Sequence, residues 1–202
     1  MKILLFGGTF DPPHNGHINN LRAAMDVVQP DRVIVMPAGI PPHKKASATP
    51  AQLRLAMCAC FQAVSPKVEV SDWEIRQEGR SYTIHTLQML HAQNPGAELY
   101  MCLGSDMLLS FTRWRSWQEI LQLAALVVES RETGDAEALE LAAETLRQQG
   151  GRVLFARAEV YPCASSDIRS GKIPPGEWGR VLPQSVLQIV KNNMLYTNCS
   201  RK

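Results

Sequence analysis

The residues with the clearest chemical potential form one segment near the N-terminus, Gly7-Gly8-Thr9-Phe10-Asp11-Pro12-Pro13-His14-Asn15-Gly16-His17. Two adjacent glycines let main-chain amides come close to a ligand without interference from side chains. The helical pattern that begins near Asn15 adds unpaired amides and a partial positive charge. His14 and His17 are spaced to share one face of its first turn. We therefore predict a phosphate site here, and the alternative is a tight turn with His17 packed on a sheet.

A second candidate segment is Pro41-Pro42-His43-Lys44-Lys45. Its prolines disfavour a helix or a central strand. The segment presents three potentially cationic side chains in succession, and such side chains suit a phosphate group. A solvated basic loop is the alternative interpretation.

Two further segments carry polar side chains where a helix is expected to begin. Ser81 or Thr83 could cap a helix, or the free amides near them could meet an anionic group. Asp106, in Gly104-Ser105-Asp106, follows an apolar run of strand length. Its carboxylate could cap a helix, accept both hydroxyls of a ribose, or do both.

The last candidate segment is Ala164-Ser165-Ser166-Asp167-Ile168-Arg169. Ser165 and Ser166 place hydroxyls at a predicted helix start, and Arg169 adds a cation within the first turn. Hydroxyls, helix amides and a guanidinium together favour phosphate binding. The segment therefore predicts a second contribution to a phosphate site.

The elements that must position these residues are apolar runs of strand length, alternating with segments of helical period. The runs are rich in Val, Ile and Leu and are bounded by turn residues, as buried strands are. They are Ile3–Phe6, Val33–Met36, Val68–Val70, Leu99–Leu103, Leu126–Val128 and Val153–Phe155. The alternation predicts an α/β fold with an open, doubly wound, mostly parallel sheet. Such sheets bind ligands beyond the carboxyl ends of their strands, where the candidate segments lie.

Some helix starts are also predicted from the sequence. Thr49-Pro50-Ala51-Gln52 and Ser116-Trp117-Gln118-Glu119 each predict a capping box, in which the first and fourth residues satisfy free amides. Gly134–Gln149 predicts a solvated amphipathic helix, and a terminal helix is expected to begin near Pro183. The helix after Thr49 is expected to bury an apolar face made of Leu53, Ala56, Met57, Cys60 and Phe61.

Length and composition limit the class of protein. The 202 residues suggest a single domain, 1–202, in which residues from about 160 onward complete the phosphate site and pack the terminal helix. The 21 basic and 19 acidic residues nearly balance, which argues against nucleic acid as a partner. The first apolar run is too short for a signal peptide or a membrane span. The five cysteines have no framework spacing, so we expect a cytoplasmic protein with reduced thiols.

The first segment resembles the G-[GS]-[TS]-F-D-P-x-H-x-G-H signature of the nucleotidylyltransferase superfamily. The P-P-H-K, S-Y-T and L-G-S-D segments and Trp114 make the chain similar, more narrowly, to the bacterial nicotinate-nucleotide adenylyltransferase family. The resemblance covers residues 3 to about 196. It implies the Rossmann-like nucleotidylyltransferase fold. At two positions the chain departs from the family pattern: Ala164 stands where relatives have a serine, and Arg115 where an aromatic residue is common.

The resemblance also implies roles for individual residues. The catalytic residues implied are His14, His17, Lys44 and Arg169. The residues implied to bind ATP are Gly7, Gly8, Thr9, Phe10, Gly16, Gly104, Asp106, Ser165 and Ser166. The residues implied to bind the acceptor substrate are His43, Lys44, Thr83, Trp114 and Arg115, with the Trp114 ring stacked on the pyridine.

The implied reaction is adenylyl transfer from ATP to nicotinate mononucleotide, which gives deamido-NAD and pyrophosphate. The attacking phosphate is already an anion at neutral pH, so alignment and cations are required rather than a general base. No carboxylate cluster suggests a metal cage in the protein, and we expect Mg²⁺ to be carried by ATP. The alternatives are a transferase for another phosphorylated acceptor, such as nicotinamide mononucleotide or phosphopantetheine, and a non-catalytic nucleotide sensor. Whether the protein is a monomer or a homo-oligomer stays open.

Overall fold

A parallel sheet forms the centre of the protein in a computed structural model, which describes residues 1–41, 47–130, 136–159 and 161–197. Within these residues the sheet has six strands: β1 (Lys2–Gly8), β2 (Arg32–Pro37), β3 (Val68–Val70), β4 (Glu98–Gly104), β5 (Ala124–Ser130) and β6 (Val153–Arg157). Their order is β3-β2-β1-β4-β5-β6, and every neighbouring pair is parallel. The predicted fold class and the position of each predicted strand are confirmed.

Helices connect the strands and cover both faces of the sheet. They are α1 (Asn15–Val28), α2 (Ala51–Cys58), α3 (Trp73–Arg76), α4 (Thr83–Gln93), α5 (Ser105–Leu109), α6 (Trp117–Leu123), α7 (Ala136–Gln148), α8 (Ser165–Arg169), α9 (Trp178–Val181) and α10 (Gln184–Asn192). Short 3-10 turns span Ala59–Ala63, Phe111–Arg113 and Pro175–Glu177. No helix of the described ranges is both long and apolar enough to cross a membrane.

The two-layer arrangement follows from the alternation of side chains along each strand. In β1, Leu4 and Phe6 face a core shared with α1, α2 and α10. Ile3 and Leu5 face the opposite core, shared with α4, α6 and α7. Both faces are buried, so the strands are apolar at nearly every position, as buried parallel strands are.

The strand order creates a crevice at the carboxyl edge of the sheet, between the ends of β1 and β4. β1 pairs with β2 on one side and with β4 on the other, so the direction of the chain connections reverses between β1 and β4. In doubly wound sheets, ligands bind beyond the carboxyl ends of the strands at this reversal. Gly8 ends β1 and Gly104 ends β4. The two loops that follow them are therefore neighbours at the binding edge.

Both predicted capping boxes are wrong. Pro50 caps α2, with no side-chain hydrogen bond, and Thr49 instead donates a hydrogen bond to the Tyr196 hydroxyl at 3.4 Å. Ser116 does precede α6, but its backbone is left-handed (φ 54°) and its side chain makes no cap. Glu119 accepts a hydrogen bond from Gln88 of α4 at 2.6 Å. In each case, a contact with a distant segment replaces the local bond that the sequence predicts.

The two amphipathic predictions differ in outcome. Residues Leu139, Ala143 and Leu146 form the buried side of α7, as an amphipathic helix requires. In α2, by contrast, Ala56 is exposed and Arg54 is buried. The predicted apolar face of α2 is therefore wrong at Ala56. The helix also buries Arg54, a charged residue that the helical pattern gives no reason to expect in the core.

Candidate active site

The loop after β1 is shaped by packing beneath it. Phe10 has a left-handed backbone (φ 49°), and its ring lies 5.6 Å from the Phe6 ring and 5.1 Å from the Phe61 ring. A Cβ on Gly8 would lie 2.8 Å from the Phe10 ring, so the turn requires glycine there. Because the Phe10 side chain is buried in the core, a ligand can contact this residue only through its main chain.

The two histidines lie together at the start of α1. His14 precedes the helix, and its main-chain N–H donates to Nδ1 of His17 at 3.2 Å. Their ring centroids are 3.8 Å apart. An Nδ1 that accepts leaves the proton of a neutral imidazole on Nε2, which makes Nε2 the donor atom of the His17 ring. The His17 ring also meets Phe10 edge-on at 5.3 Å, so this ring packs on the loop that follows β1.

Gly16 keeps room for the first histidine. A Cβ at this position would lie 3.0 Å from the His14 ring and 3.3 Å from Cβ of Tyr161. Contacts of this kind force neighbouring groups to move in a packed interior. The glycine between the two histidines therefore determines where His14 lies, whatever ligand the site binds.

Helix α8 is attached directly to the first loop. Ser165 Oγ donates to the Pro12 carbonyl at 2.9 Å, and Arg169 Nη1 donates to the Asp11 carbonyl at 2.6 Å. These bonds span more than 150 residues of sequence. The structure thus brings the first and last predicted phosphate-binding segments together.

These segments line a polar cavity of about 960 Å³. We use the name polar cavity for the space lined by Gly8–Asp11, His14, His17, Ser47–Thr49, Asp106, Met107, Ala164–Ser166, Arg169 and Met194–Tyr196. Most of the residues predicted to bind ATP are in this set. Asp106 is an exposed residue in the first turn of α5, and it contributes a carboxylate to the lining of the polar cavity.

An apolar cavity of about 260 Å³ adjoins the polar one. It is lined by strand-end residues and by the start of α4 and the turn before α6: Leu5, Gly7–Thr9, Met36, Ala38, Pro41, Glu74, Ser81–Thr83, Met101–Gly104, Met107, Trp114, Arg115 and Ile120. Gly8, Thr9 and Met107 line both cavities. Two sites of different chemistry therefore meet at the carboxyl end of β1.

Aromatic and cationic side chains are among the residues that line the apolar cavity. The Trp114 ring is half-buried and lies 5.4 Å from the Phe111 ring. The Arg115 guanidinium carbon lies 4.8 Å from the centre of the Tyr82 ring, a separation at which a cation and an aromatic face attract each other. Arg115, which departs from the family pattern, therefore lines this cavity beside the Tyr82 ring.

Comparison with known proteins identifies the family. Residues 5–171 match the family model described as cytidylyltransferase-like. The chain belongs to the cytidylyltransferase-like family. Within it, the chain is 37% identical over 205 residues to a protein of Chloroherpeton thalassium, with 98% of each chain covered. It is 36% identical over 207 residues to a protein of Acidithiobacillus ferrooxidans, with 96% and 95% covered. Both relatives are described as probable nicotinate-nucleotide adenylyltransferases, so the resemblance stated from the motifs is confirmed.

Solved structures agree with the fold of the family. A Plasmodium falciparum nicotinic acid mononucleotide adenylyltransferase complexed with NaAD has a TM-score of 0.73 at 15% identity, with 97% of each chain covered. The same protein complexed with APC gives 0.72 at 16% identity. At this level of identity, the likeness concerns the fold: the Rossmann-like sheet predicted from the sequence is confirmed.

Not every predicted residue can be placed against the family pattern. His43 and Lys44, with Lys45, lie outside the described residues. Arg76, which lies five residues before the S-Y-T segment, is exposed, pairs with Asp72 at 2.7 Å and lines neither cavity. Thr83 is the first residue of α4 and lines the apolar cavity. Tyr82, rather than Ser81 or Thr83, caps this helix, and it does so without a side-chain bond.

Glu74 is a site residue that the sequence prediction missed. Its carboxylate lines the apolar cavity and accepts a hydrogen bond from Thr86 Oγ1 at 2.6 Å. Burial raises the pKa of Glu74, although hydrogen bonds from Thr86, Ser81 and the Gly39 main chain act in the opposite direction. The signal in the sequence was an acidic residue a few positions before the S-Y-T segment.

Arg54 is the second residue that was missed. Its side chain is 2% exposed, and burial lowers the pKa of its guanidinium. Nη1 donates to the Thr9 carbonyl at 2.8 Å and Nη2 to the Gly39 carbonyl at 3.4 Å. Arg54 therefore connects the loops that follow β1 and β2. The signal in the sequence was the spacing: Arg54 lies three residues before the buried Met57, and residues three apart share one face of a helix.

Among residues 1–41, 47–130, 136–159 and 161–197, no group of three or more His, Cys, Asp or Glu side chains is arranged to hold a metal ion. The polar cavity instead gathers imidazoles, a guanidinium and hydroxyls, donors that suit phosphate oxygens.

Proposed function

We propose that this protein transfers the adenylyl group of ATP to nicotinate mononucleotide, giving deamido-NAD and pyrophosphate. The observation that carries the proposal is the junction of a polar and an apolar cavity at Gly8, Thr9 and Met107. A reaction between a triphosphate and a nucleotide with a flat aromatic base needs a polar and a packed environment side by side. The description of the relatives as probable nicotinate-nucleotide adenylyltransferases supports the same substrate pair.

ATP occupies the polar cavity in this proposal. His14, His17 and Arg169 bind the triphosphate with the amides at the start of α1, and Ser165 and Ser166 add hydroxyls. The positive end of a helix and charge-assisted hydrogen bonds both favour phosphate. Gly7, Gly8, Thr9 and Phe10 contribute main-chain groups, and Gly104 leaves space beside Asp106: a Cβ there would lie 2.9 Å from Oδ1 of Asp106. Asp106 accepts the ribose hydroxyls.

Nicotinate mononucleotide occupies the apolar cavity. The pyridine ring stacks on Trp114, because offset aromatic faces attract one another. The free amides at the start of α4, near Thr83, bind the ring carboxylate with the main chain of Arg115. His43 and Lys44 are assigned to the nucleotide phosphates through the resemblance alone.

In the reaction, the 5′-phosphate oxygen of nicotinate mononucleotide attacks the α-phosphorus of ATP in line. The new P–O bond forms as the bond to the β-phosphate oxygen breaks, and pyrophosphate leaves with the electron pair. Mg²⁺ enters with ATP as part of that substrate and neutralises charge on the phosphate oxygens. The protein holds the reacting atoms in line and places His17 and Arg169 against the charge that develops.

We also propose that residues 1–202 act as one nucleotidylyltransferase domain in the cytoplasm. The C-terminal part supports the first point, because Ser165, Ser166, Arg169 and Met194–Tyr196 line the polar cavity. Free, buried thiols at Cys58, Cys60, Cys102 and Cys163 are consistent with a reducing compartment.

The test is pyrophosphate release by the purified protein with MgATP and one acceptor at a time. We expect the highest kcat/KM with nicotinate mononucleotide, a lower value with nicotinamide mononucleotide, and no reaction above background with phosphopantetheine. Preference for phosphopantetheine would contradict the assignment of the apolar cavity. ATP binding without turnover on any acceptor would indicate a sensor instead of an enzyme.

A further inference from the structure

The segment after α10 turns back toward the loop that follows β1. Met194 and Tyr196 have left-handed backbones (φ 49° and 62°), which non-glycine residues rarely adopt. Between them, the Leu195 amide donates to the Val190 carbonyl at 3.0 Å. The turn brings the Tyr196 hydroxyl to 2.7 Å from Oδ1 of Asp11. Strained backbone of this kind persists where the surroundings require it, and it is concentrated at functional sites.

Asp11 is the point where distant parts of the chain meet. It is 5% exposed, and a buried carboxylate needs hydrogen-bond donors. Ser47 Oγ donates to Oδ2 at 2.6 Å. Arg169 donates to the Asp11 carbonyl at 2.6 Å and has its Nε 3.9 Å from Oδ2. The position of Asp11 therefore affects both the loop that leads to His14 and the side chain of Arg169.

We propose that Tyr196 is a positioning residue for ATP: through Asp11 it holds the His14 loop and Arg169 in the arrangement that receives the triphosphate. The inference rests on the proposed function for the identity of the nucleotide. Met194, Leu195 and Tyr196 themselves line the polar cavity, so the C-terminal segment also forms part of its wall. None of these three residues lines the apolar cavity, so their effect is confined to the ATP side.

The chemistry of the hydroxyl supports a fixed donor. Burial raises the pKa of Tyr196, and the hydrogen bond to Asp11 raises it further. The hydroxyl therefore keeps its proton and donates it to the carboxylate. Thr49 Oγ1 donates to the same hydroxyl at 3.4 Å, which fixes its orientation. Thr49 and Ser47 come from the loop before α2, so this network joins the regions before α1, before α2 and after α10.

A residue that only anchored the C-terminus would affect stability and leave the kinetic constants of the folded enzyme unchanged. Tyr196→Phe removes only the hydroxyl. We expect kcat/KM for MgATP to fall about tenfold to a hundredfold, the range for loss of a hydrogen bond to a charged group. The KM for nicotinate mononucleotide should stay within about twofold, because the apolar cavity is not involved.

Tyr100→Phe is the matched control. It removes the same atom from a buried tyrosine whose hydroxyl donates to Glu98 at 3.1 Å, at the start of β4. We expect it to leave both substrates' constants unchanged. Unchanged kcat/KM for MgATP in Tyr196→Phe would overturn the inference. Equal losses of kcat/KM for both substrates, together with a lower melting temperature, would overturn the inference as well, because that pattern indicates a general loss of folded structure.

A second variant and a binding measurement complete the test. If Tyr196→Phe does not fold, Ser47→Ala removes the other hydroxyl bound to the Asp11 carboxylate. A loss of several-fold confined to MgATP then supports the inference, and no loss contradicts it. Calorimetric binding of a non-hydrolysable ATP analogue to wild type and variant needs no turnover. Weaker binding by the variant thus supports the role of Tyr196 even if the acceptor is not nicotinate mononucleotide, and a wild type inactive with that acceptor contradicts only the proposed function.

Discussion

The polar and apolar cavities share three residues and are built in different ways. The polar cavity depends on hydrogen bonds between segments far apart in sequence, such as Ser165 to Pro12 and Tyr196 to Asp11. The apolar cavity depends on strand ends and on helix starts that local packing holds, such as Thr83 and Trp114. A site built from hydrogen bonds orients the charged groups of its ligand, whereas a site built from packed side chains selects a ligand by its shape. Changes in the two cavities should therefore affect different kinetic constants.

The largest expected effect is that of His17→Ala in the polar cavity. Loss of a preorganised donor to the transition state should lower kcat by about 10²–10³, with little change in the KM for nicotinate mononucleotide. Steady-state kinetics with each substrate varied measures this split. His91→Ala, at an exposed position of α4, is the control and should have no effect. Full kcat in His17→Ala would remove His17 from the chemistry.

Gly39→Ala tests the packing beneath the apolar cavity. A Cβ at Gly39 would lie 2.5 Å from the Glu74 carbonyl and 2.7 Å from Ser81 Oγ. We expect a loss of about 1–3 kcal/mol in the free energy of unfolding, as for other overpacked sites, and a higher KM for nicotinate mononucleotide. Urea denaturation measures the loss. Gly176→Ala, where the new Cβ meets nothing within 4 Å, should be neutral, and equal stabilities of the two variants would contradict this account.

Trp114→Ala tests recognition without chemistry. Loss of the stacking face should raise the KM for nicotinate mononucleotide about tenfold, while the KM for MgATP stays the same. Trp114→Phe retains an aromatic face and should recover most of the affinity. If Trp114→Ala raised the KM for MgATP instead, the assignment of substrates to the two cavities would have to be reversed.

The smallest expected effect concerns Glu74 and pH. Burial raises the pKa of this carboxyl above its ordinary value of 4.5, so the folded protein keeps a proton that the unfolded chain releases. The destabilising contribution of Glu74 is therefore absent below about pH 4.5 and grows as pH rises through the folded pKa. Relative to wild type, Glu74→Gln should be more stable at about pH 7 than at about pH 4, measured by urea denaturation. Glu177→Gln, at an exposed position, is the matched control for the substitution itself.

Much of the fold was predictable because it depends on local pattern. Val33–Met36 and Leu126–Val128 are apolar throughout, and only a strand buried on both faces requires that. The conformation of the loop from Gly7 to His17 depends on residues within the loop, because Gly8 and Gly16 leave space for the rings of Phe10 and His14. Where a residue contacts neighbours that are close to it in sequence, its structural role could be predicted from the spacing of residue types.

The network around Asp11, Arg54 and Tyr196 could not be predicted in this way. Arg54 lies on a face that the helical period assigns to apolar residues, and Tyr196 follows the last helix by four residues. Thr49 and Glu119 have the spacing of capping boxes, yet each bonds a side chain from another part of the fold. A side chain with several possible partners takes the one that packing brings near.

The sequence by itself determined the order of strands and helices along the chain, the glycine positions of the first loop and the family. Periodicity and turn residues act over a few positions, so they are readable in one dimension. The tertiary structure alone decided that the C-terminal segment reaches Asp11, that Arg54 is buried and Glu74 half-buried, and that the two cavities meet at Gly8 and Thr9. The physical reason is that burial and hydrogen-bond partners depend on which distant segments become neighbours when the sheet forms.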